Sequence, residues 1–280
     1  MKILDAVCNL WTPEIYNTRP TALNETLNYF YSSYIRINQD RREGMTTEEI
    51  LERMEKAGIE KALLIAPALG IWNVPYATIH DAVKHYPDKF FGLAGINPED
   101  KMKGVYQLEF AVKELGFVGA HLYPHWFKTP PNDKIYYPFY AKCTELNIPI
   151  EIQIGHCAQT HLPTVAPPMT LDEIAIYFPD LKIIGIHIGW PWVTEAIAVS
   201  LKHPNVYIGS DAHSPKYWTE EFKHFVKNRG KNKVIFGSDF PILDFERTVT
   251  ELADLHLPEE VFNKITWENA VRVFNLKITT

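Results

Sequence analysis

Eight short apolar segments recur along the 280-residue chain, and a stretch of helical periodicity follows each of them. The segments begin near residues 2, 61, 90, 117, 148, 182, 206 and 234. Strict alternation of strand and helix patterns predicts a parallel sheet covered by helices. Eight units match a closed (β/α)8 barrel of the α/β class. An open doubly wound sheet is the alternative, but the sequence has neither a G-x-G-x-x-G nor a Walker motif.

A barrel of this size forms one unit, so we expect a single domain over residues 1–280. The segment 12–45, after the first strand, is long and mixed in composition. Such an insertion is typical of a lid or binding loop. The alternative is a helical excursion that only packs on the surface. Two further helices are predicted at the carboxyl end, over residues 258–265 and 267–274.

The formal net charge of -6 argues against nucleic acid or an anionic membrane as the main partner. No apolar run is long enough for a membrane helix, and the start of the sequence does not have the pattern of a secretory signal. The three cysteines, Cys8, Cys143 and Cys157, fit neither a disulfide framework nor a zinc finger. We therefore expect a reduced, cytoplasmic protein that binds a small molecule.

Polar side chains stand where the predicted strands end. In a barrel these ends meet on one rim, which is where active sites lie. Imidazole is the usual acid or base near neutral pH, and imidazole and carboxylate are usual ligands of catalytic metals. A single histidine at a strand end is more often a hydrogen-bonded structural residue. Three groups on one rim favour function, because buried polar groups are costly unless used or paired, and the catalytic candidates are His156, His187 and Asp239.

Further polar and aromatic residues near the same rim are candidates for contacts with a substrate. They are Asn9, Trp11, His121, Tyr123, His125, Gln153, Trp190 and Asp211. Aromatic walls suit a flat or apolar substrate. Trp190 has an alternative role in packing the start of the next helix, and Asp211 with His213 forms either a supporting pair or a loop turn.

Two motifs carry a resemblance to a known family: HIGWPW at residues 187–192 and FGSDFP at residues 236–241. They occur together with QIGH at 153–156 and NAVRVF at 269–274. On these residues the chain resembles the amidohydrolase-related group of TIM-barrel enzymes that includes aminocarboxymuconate-semialdehyde decarboxylase and related aromatic-acid decarboxylases. The resemblance covers nearly the whole chain.

The resemblance implies a divalent metal, zinc or manganese, held by a strand-one His-x-His pair together with His156 and Asp239. It implies that His187 is the acid or base, and that the protein is a homodimer. The strand-one pair would fall at positions 7 and 9, where this chain has Val7 and Asn9. Neither is a good zinc ligand, so the implied site is incomplete. Either another residue such as His121 completes it, or the enzyme works without metal.

The sequence therefore predicts an amidohydrolase-type enzyme. The expected reaction is hydrolysis or non-oxidative decarboxylation of a small carboxylated substrate, cyclic or aromatic. His187 and Asp239 are expected to carry the acid/base chemistry or to belong to a metal site. The alternative is a non-catalytic binding or scaffold barrel that lost its metal site.

Overall fold

The computed structural model describes residues 2–29, 32, 39–157 and 161–278, so part of the 12–45 insertion lies outside the described residues. Eight strands pair in parallel and in chain order, which confirms the predicted barrel. The strands are β1 (Ile3–Asn9), β2 (Ile59–Ala66), β3 (Phe90–Gly95), β4 (Gly119–Leu122), β5 (Ile150–Gln153), β6 (Ile183–Ile186), β7 (Val206–Gly209) and β8 (Val234–Ile235).

The barrel closes where residues 236–240, which follow β8, run beside β1; we call this contact the seam. Backbone hydrogen bonds join Ala6 N to Phe236 O at 3.0 Å and Asp239 N to Val7 O at 2.8 Å. The buried Asp5 carboxylate accepts hydrogen bonds from the Ser238 backbone N–H at 2.9 Å and from the Ser238 hydroxyl. The seam is therefore fixed by backbone and side chain together.

Helices surround the sheet. The part of the chain that the structure describes contains α1 (Pro13–Asn17), α2 (Thr21–Tyr29), α3 (Gln39–Arg42), α4 (Thr47–Ala57), α5 (Tyr76–His85), α6 (Lys101–Lys113), α7 (Pro124–Phe127), α8 (Tyr137–Glu145), α9 (Thr170–Tyr177), α10 (Val193–Lys202), α11 (Glu220–Lys227), α12 (Phe245–Ala253), α13 (Glu259–Asn263) and α14 (Asn269–Val273). The insertion after β1 is thus helical where it is described, in α1 to α3. The two predicted carboxyl-terminal helices are joined by a π-helical turn at Lys264–Glu268.

Local signals explain where α4 begins and ends. The Thr46 hydroxyl accepts from the Glu49 backbone N–H, and the Glu49 carboxylate accepts from the Thr46 N–H at 2.8 Å. This capping box satisfies two N–H groups that a helix start leaves without partners. Gly58 ends the helix with a φ of 75°, a left-handed conformation that glycine adopts at little cost.

The barrel interior is apolar at the end where the strands begin. Leu4, Leu63 and Leu93 pack there with Phe274, which follows α14. A Cβ on Gly119 would lie 3.0 Å from the Phe274 ring, so the missing side chain makes room for that ring. This end is therefore plugged, and polar groups face the opposite end. Among the described residues, no helix has the length and hydropathy needed to cross a bilayer.

Candidate active site

His187 lies directly after β6, and its imidazole reaches three polar neighbours. Its Nδ1 is 3.3 Å from Gln153 Nε2, and its Nε2 is 3.2 Å from Asp211 Oδ2 and 3.8 Å from Asp239 Oδ2. With the Gln153 amide as donor, hydrogen-bond pairing assigns the ring proton to Nε2, facing the two carboxyls. The predicted residues His187, Asp211 and Asp239 therefore do come together.

Asp239 follows β8 and belongs to the seam. Its Oδ1 accepts a hydrogen bond from Asn9 Nδ2 at 3.0 Å, and the same amide donates to Phe240 O at 3.0 Å. Its Oδ2 is the oxygen that faces His187. One carboxyl oxygen is thus held from β1, and the other is directed to the imidazole.

Burial controls the protonation of these groups. It is the largest cause that raises the pKa of Asp239 well above its ordinary value, and the nearby Asp211 raises it further. Burial raises the pKa of Asp211 to about 7 and lowers the pKa of His187 well below its ordinary value. Near neutral pH the site therefore holds a neutral imidazole beside an Asp239 that retains its proton, while Asp211 titrates close to that pH.

A second polar pair lies deeper in the barrel, on the neighbouring strands β4 and β5. His121 Nδ1 is 2.8 Å from Glu151 Oε2, and both side chains are fully buried. Burial lowers the pKa of His121 to about 3 and raises that of Glu151, so the pair shares a proton rather than forming an ion pair. The His121 ring lies 4.3 Å from the Tyr123 ring. His121 is fully buried and is not among the residues that line the cavity beside His187 and Asp239.

A cavity of about 90 Å³ opens beside His187 and Asp239. Its walls are mainly apolar and aromatic. The lining residues are Asn9, Trp11, Leu27, Pro67, Leu69, Trp72, Tyr123, Trp126, Gln153, His187, Asp239, Pro241 and Ile242. Of the predicted substrate contacts, Asn9, Trp11, Tyr123 and Gln153 are among them.

Other predicted residues lie outside this lining. His125 is buried, and its Nε2 donates to Gly155 O at 3.0 Å. His156 stacks edge-on against Trp190, with 5.3 Å between the ring centroids. Trp190 remains 38% exposed. None of these three side chains is among the residues that line the cavity.

Sequence reasoning missed the contribution of the insertion after β1. Leu27 of α2 lines the cavity, and the buried guanidinium of Arg19 lies 3.5 Å over the Trp11 ring and 5.1 Å over Trp72. A cation held against aromatic faces fixes those rings in place. The signal was the density of aromatic residues near the strand ends, but the position of Arg19 followed no periodic pattern.

The residues present do not fit the divalent metal that the resemblance implies. Val7 is buried and apolar, and the Asn9 amide directs its hydrogens, not its oxygen, toward Asp239. The chain turns after β5, so His156 packs on Trp190. Over residues 2–29, 32, 39–157 and 161–278, no three His, Cys, Asp or Glu side chains are grouped to hold an ion.

Comparisons with known proteins agree with this architecture. The family model described as Amidohydrolase matches residues 41–276. A 2-keto-4-carboxy-3-hexenedioate hydratase from Sphingobium is 34% identical over 177 residues, a match that spans 52% of this chain and 52% of the hydratase. The chain therefore covers about half the length of that relative.

Two solved structures share the fold over nearly their whole length. A TIM-barrel protein from Bordetella bronchiseptica superposes with a TM-score of 0.81 at 24% identity, covering 98% of this chain and 99% of the other. A 5-carboxyvanillate decarboxylase from Novosphingobium aromaticivorans, complexed with manganese and 4-hydroxy-3-methoxy-5-nitrobenzoic acid, has a TM-score of 0.74 at 17% identity. That match covers 98% of this chain and 96% of the decarboxylase.

Proposed function

Because the chain belongs to the amidohydrolase family, we propose that it catalyses the non-oxidative decarboxylation of a small aromatic or cyclic carboxylic acid. One observation carries the proposal: the pKa of Asp239 is raised by burial, in a cavity with aromatic walls. A carboxylic acid that stays protonated near neutral pH is a suitable proton donor to carbon.

The reaction needs one proton and releases one molecule of carbon dioxide. Asp239 donates its proton to the ring carbon that bears the carboxylate. The bond from that carbon to the carboxylate then breaks, its electron pair returns to the ring, and carbon dioxide leaves. The ionised Asp239 accepts a hydrogen bond from His187 Nε2–H, which is 3.8 Å from it before reaction, until solvent returns the proton. Asn9 and Gln153 hold the two groups in place.

The cavity lining favours a substrate with a single carboxylate. Among the described residues that line it, none is lysine or arginine, whereas Trp11, Trp72 and Tyr123 offer aromatic faces. Poor solvation of one carboxylate assists its loss as a neutral gas. The aromatic acid bound by the decarboxylase of the same fold belongs to this chemical class.

Hydration of a carbon–carbon double bond is the second candidate, and the similarity to the Sphingobium hydratase favours it. Asp239 and His187 would serve in this reaction too. Asp239 would protonate one alkene carbon, while His187 would remove a proton from the attacking water. The hydratase substrate is a carboxy-hexenedioate, which carries several carboxylates. Because no lysine or arginine is among the described residues that line the cavity, that substrate is the poorer match.

The deciding experiment compares product formation from a panel of hydroxylated benzoic acids, cyclic unsaturated acids and carboxylic esters. We expect release of carbon dioxide, with kcat reduced about 1,000-fold in Asp239→Asn, as for loss of a general acid. Asp172→Asn is the matched control, because Asp172 pairs with Lys202 on the outside of the barrel. Water uptake or ester cleavage as the sole reaction, or full activity in Asp239→Asn, would refute decarboxylation by this residue.

The proposed acid/base scheme predicts that the protein is active without a bound metal. Since positions 7 and 9 lack strong ligands, we expect activity to survive extended dialysis against a chelator. Elemental analysis of the purified protein is measured alongside. A stoichiometric metal whose removal abolishes activity would contradict the acid/base scheme.

A further inference from the structure

A buried positive charge lies against the aromatic wall of the cavity. Arg19 follows α1 and is 6% exposed. Its guanidinium carbon lies 3.5 Å from the centroid of the Trp11 ring and 5.1 Å from that of the Trp72 ring. Both tryptophans line the cavity, whereas Arg19 is not among the lining residues. The Trp11 indole therefore contacts the guanidinium and the cavity at once.

The N–H groups of these two rings donate to the insertion after β1. Trp72 Nε1 donates to Thr18 Oγ1 at 2.9 Å, and Trp11 Nε1 donates to Arg42 O at 3.1 Å. An indole carries a single N–H donor, so each ring has used the one that it has. The side-chain amide of Asn9, at the same cavity, already makes two donations within the seam. None of these three donors is therefore left for a carboxylate in the cavity.

We infer that Arg19 is a specificity-determining residue, whose charge acts through the Trp11 ring and makes the cavity select an anionic ring over a neutral ring of the same shape. The inference deepens the proposed function, since it rests on a carboxylic acid as the ligand. A ligand in van der Waals contact with the other face of Trp11 lies roughly 7 Å from the guanidinium. At that distance inside a protein, one unit charge strengthens the binding of an anion by about 10-fold or more.

Selection through a ring also suits the loss of the carboxylate. A guanidinium in contact with the substrate would form two charge-assisted hydrogen bonds with the carboxylate. Such bonds stabilise the bound acid and must break as carbon dioxide leaves, so they would raise the barrier. The charge of Arg19 attracts the anion without these bonds, because in this arrangement the indole of Trp11 lies between the two groups.

Calorimetric titration with two probes that do not react tests the inference. Benzoate and benzamide have nearly the same shape, but only benzoate is charged near neutral pH. We expect wild-type protein to bind benzoate about 10-fold or more tightly than benzamide, and Arg19→Met to reduce that ratio about 10-fold. Arg19→Lys keeps the charge and should keep most of the preference. Arg53→Met is the matched control, because Arg53 pairs with Asp244 and is not among the lining residues.

Further measurements separate the charge of Arg19 from a structural role. Circular dichroism and tryptophan fluorescence report whether the fold and the rings are preserved, and Arg19→Gln replaces Arg19→Met if that variant does not fold. Weaker binding of both probes by the same factor would mean that Arg19 only holds the rings, which overturns the inference. Equal binding of the two probes by wild-type protein overturns it without any variant.

The two probes also separate this inference from the proposed reaction. Their binding requires no turnover, so a failed decarboxylation assay would refute the proposed function and leave the charge selection standing. Loss of the preference for benzoate in Arg53→Met, to the same extent as in Arg19→Met, would assign the effect to net charge and overturn the role of Arg19.

Discussion

His187 and Asp239 both have left-handed backbone conformations, with φ of 68° and 58°. Residues with side chains rarely adopt this region, and each such residue costs about 1 kcal/mol or more. Hydrogen bonds compensate here, because the His187 N–H donates to Asp211 Oδ1 at 3.2 Å and the Asp239 N–H donates to Val7 O at 2.8 Å. The bent backbone directs the two side chains toward each other.

Substitution of Asp211 tests whether its charge raises the pKa of Asp239. The proposed proton donor works only while protonated, so activity is present below the raised pKa of Asp239 and is lost as the pH rises through it. The charge of Asp211 raises that pKa. In Asp211→Asn we therefore expect the alkaline limb of the kcat profile to move about one unit to lower pH. Asp172→Asn is the control, and an unchanged limb in Asp211→Asn would contradict the coupling.

His156 shows what the sequence did not reveal about single residues. The motifs singled out His187 and Asp239, because each follows an apolar strand, and the structure brings the two side chains together. His156 also follows a strand, but Gly155 has a φ of 80° and lies so close to Trp190 that a Cβ would be 2.4 Å from its carbonyl oxygen. The chain turns there, and His156 packs on Trp190. Such a close approach depends on two distant loops, so no local pattern predicts it.

At the scale of elements, α2 is the part of the insertion that reaches the cavity, through Leu27. The cavity of about 90 Å³ is smaller than the roughly 150 Å³ known to accept benzene. We therefore propose that α2 belongs to a lid that moves when a ring-shaped substrate enters. Substitutions on α2 can test this proposed lid.

Leu27→Ala should widen the cavity. We expect kcat/KM for a two-ring carboxylic acid to rise relative to that for a one-ring acid, because the removed atoms lie at the cavity wall. Leu23→Ala, a buried position on the same helix that is not part of the wall, is the matched control. Both variants lose about 2–5 kcal/mol in free energy of unfolding, so stability alone does not distinguish them. An equal change in substrate preference in both would contradict the lid.

Strands were easier to predict than the insertion for a physical reason. Each barrel strand is apolar over its length and bounded by glycine, proline or polar residues, as β6 is before His187. The short helices α1 and α3 contain five and four residues and have no room for an amphipathic period. Their structure depends on contacts with the barrel, which sequence periodicity does not encode.

For the whole molecule, the plug at the closed end of the barrel is expected to carry much of its stability. Phe274 is 2% exposed and packs on Leu93 and the bare backbone of Gly119. Phe274→Ala should lower the free energy of unfolding by about 3–5 kcal/mol, measured by urea denaturation. Tyr29→Ala, at a tyrosine that is 73% exposed, is the control for loss of an aromatic ring. A loss below 1 kcal/mol would show that the plug is dispensable.

The family match over residues 41–276 confirms the predicted amidohydrolase family, and the strand order confirms the barrel. Alternation of apolar strands with helices was sufficient for the barrel, and the motifs at residues 187–192 and 236–241 indicated the family. The depth of the polar pair formed by His121 and Glu151 was not predictable, because the position of a strand end relative to the barrel axis depends on strand register. The sequence therefore does not indicate which of the strand-end candidates lie at the cavity, although the barrel places them at different depths.

The seam links the closure of the barrel to the position of Asp239. Residues 236–240 join the last strand to the first and also include Asp239. One short segment therefore closes the barrel and carries the carboxyl of the proposed proton transfer. A mutation that loosens this junction is expected to move the Asp239 carboxyl, the proposed proton donor, away from His187. The carboxyl of Asp239 is therefore placed beside His187 by the same backbone hydrogen bond that closes the barrel.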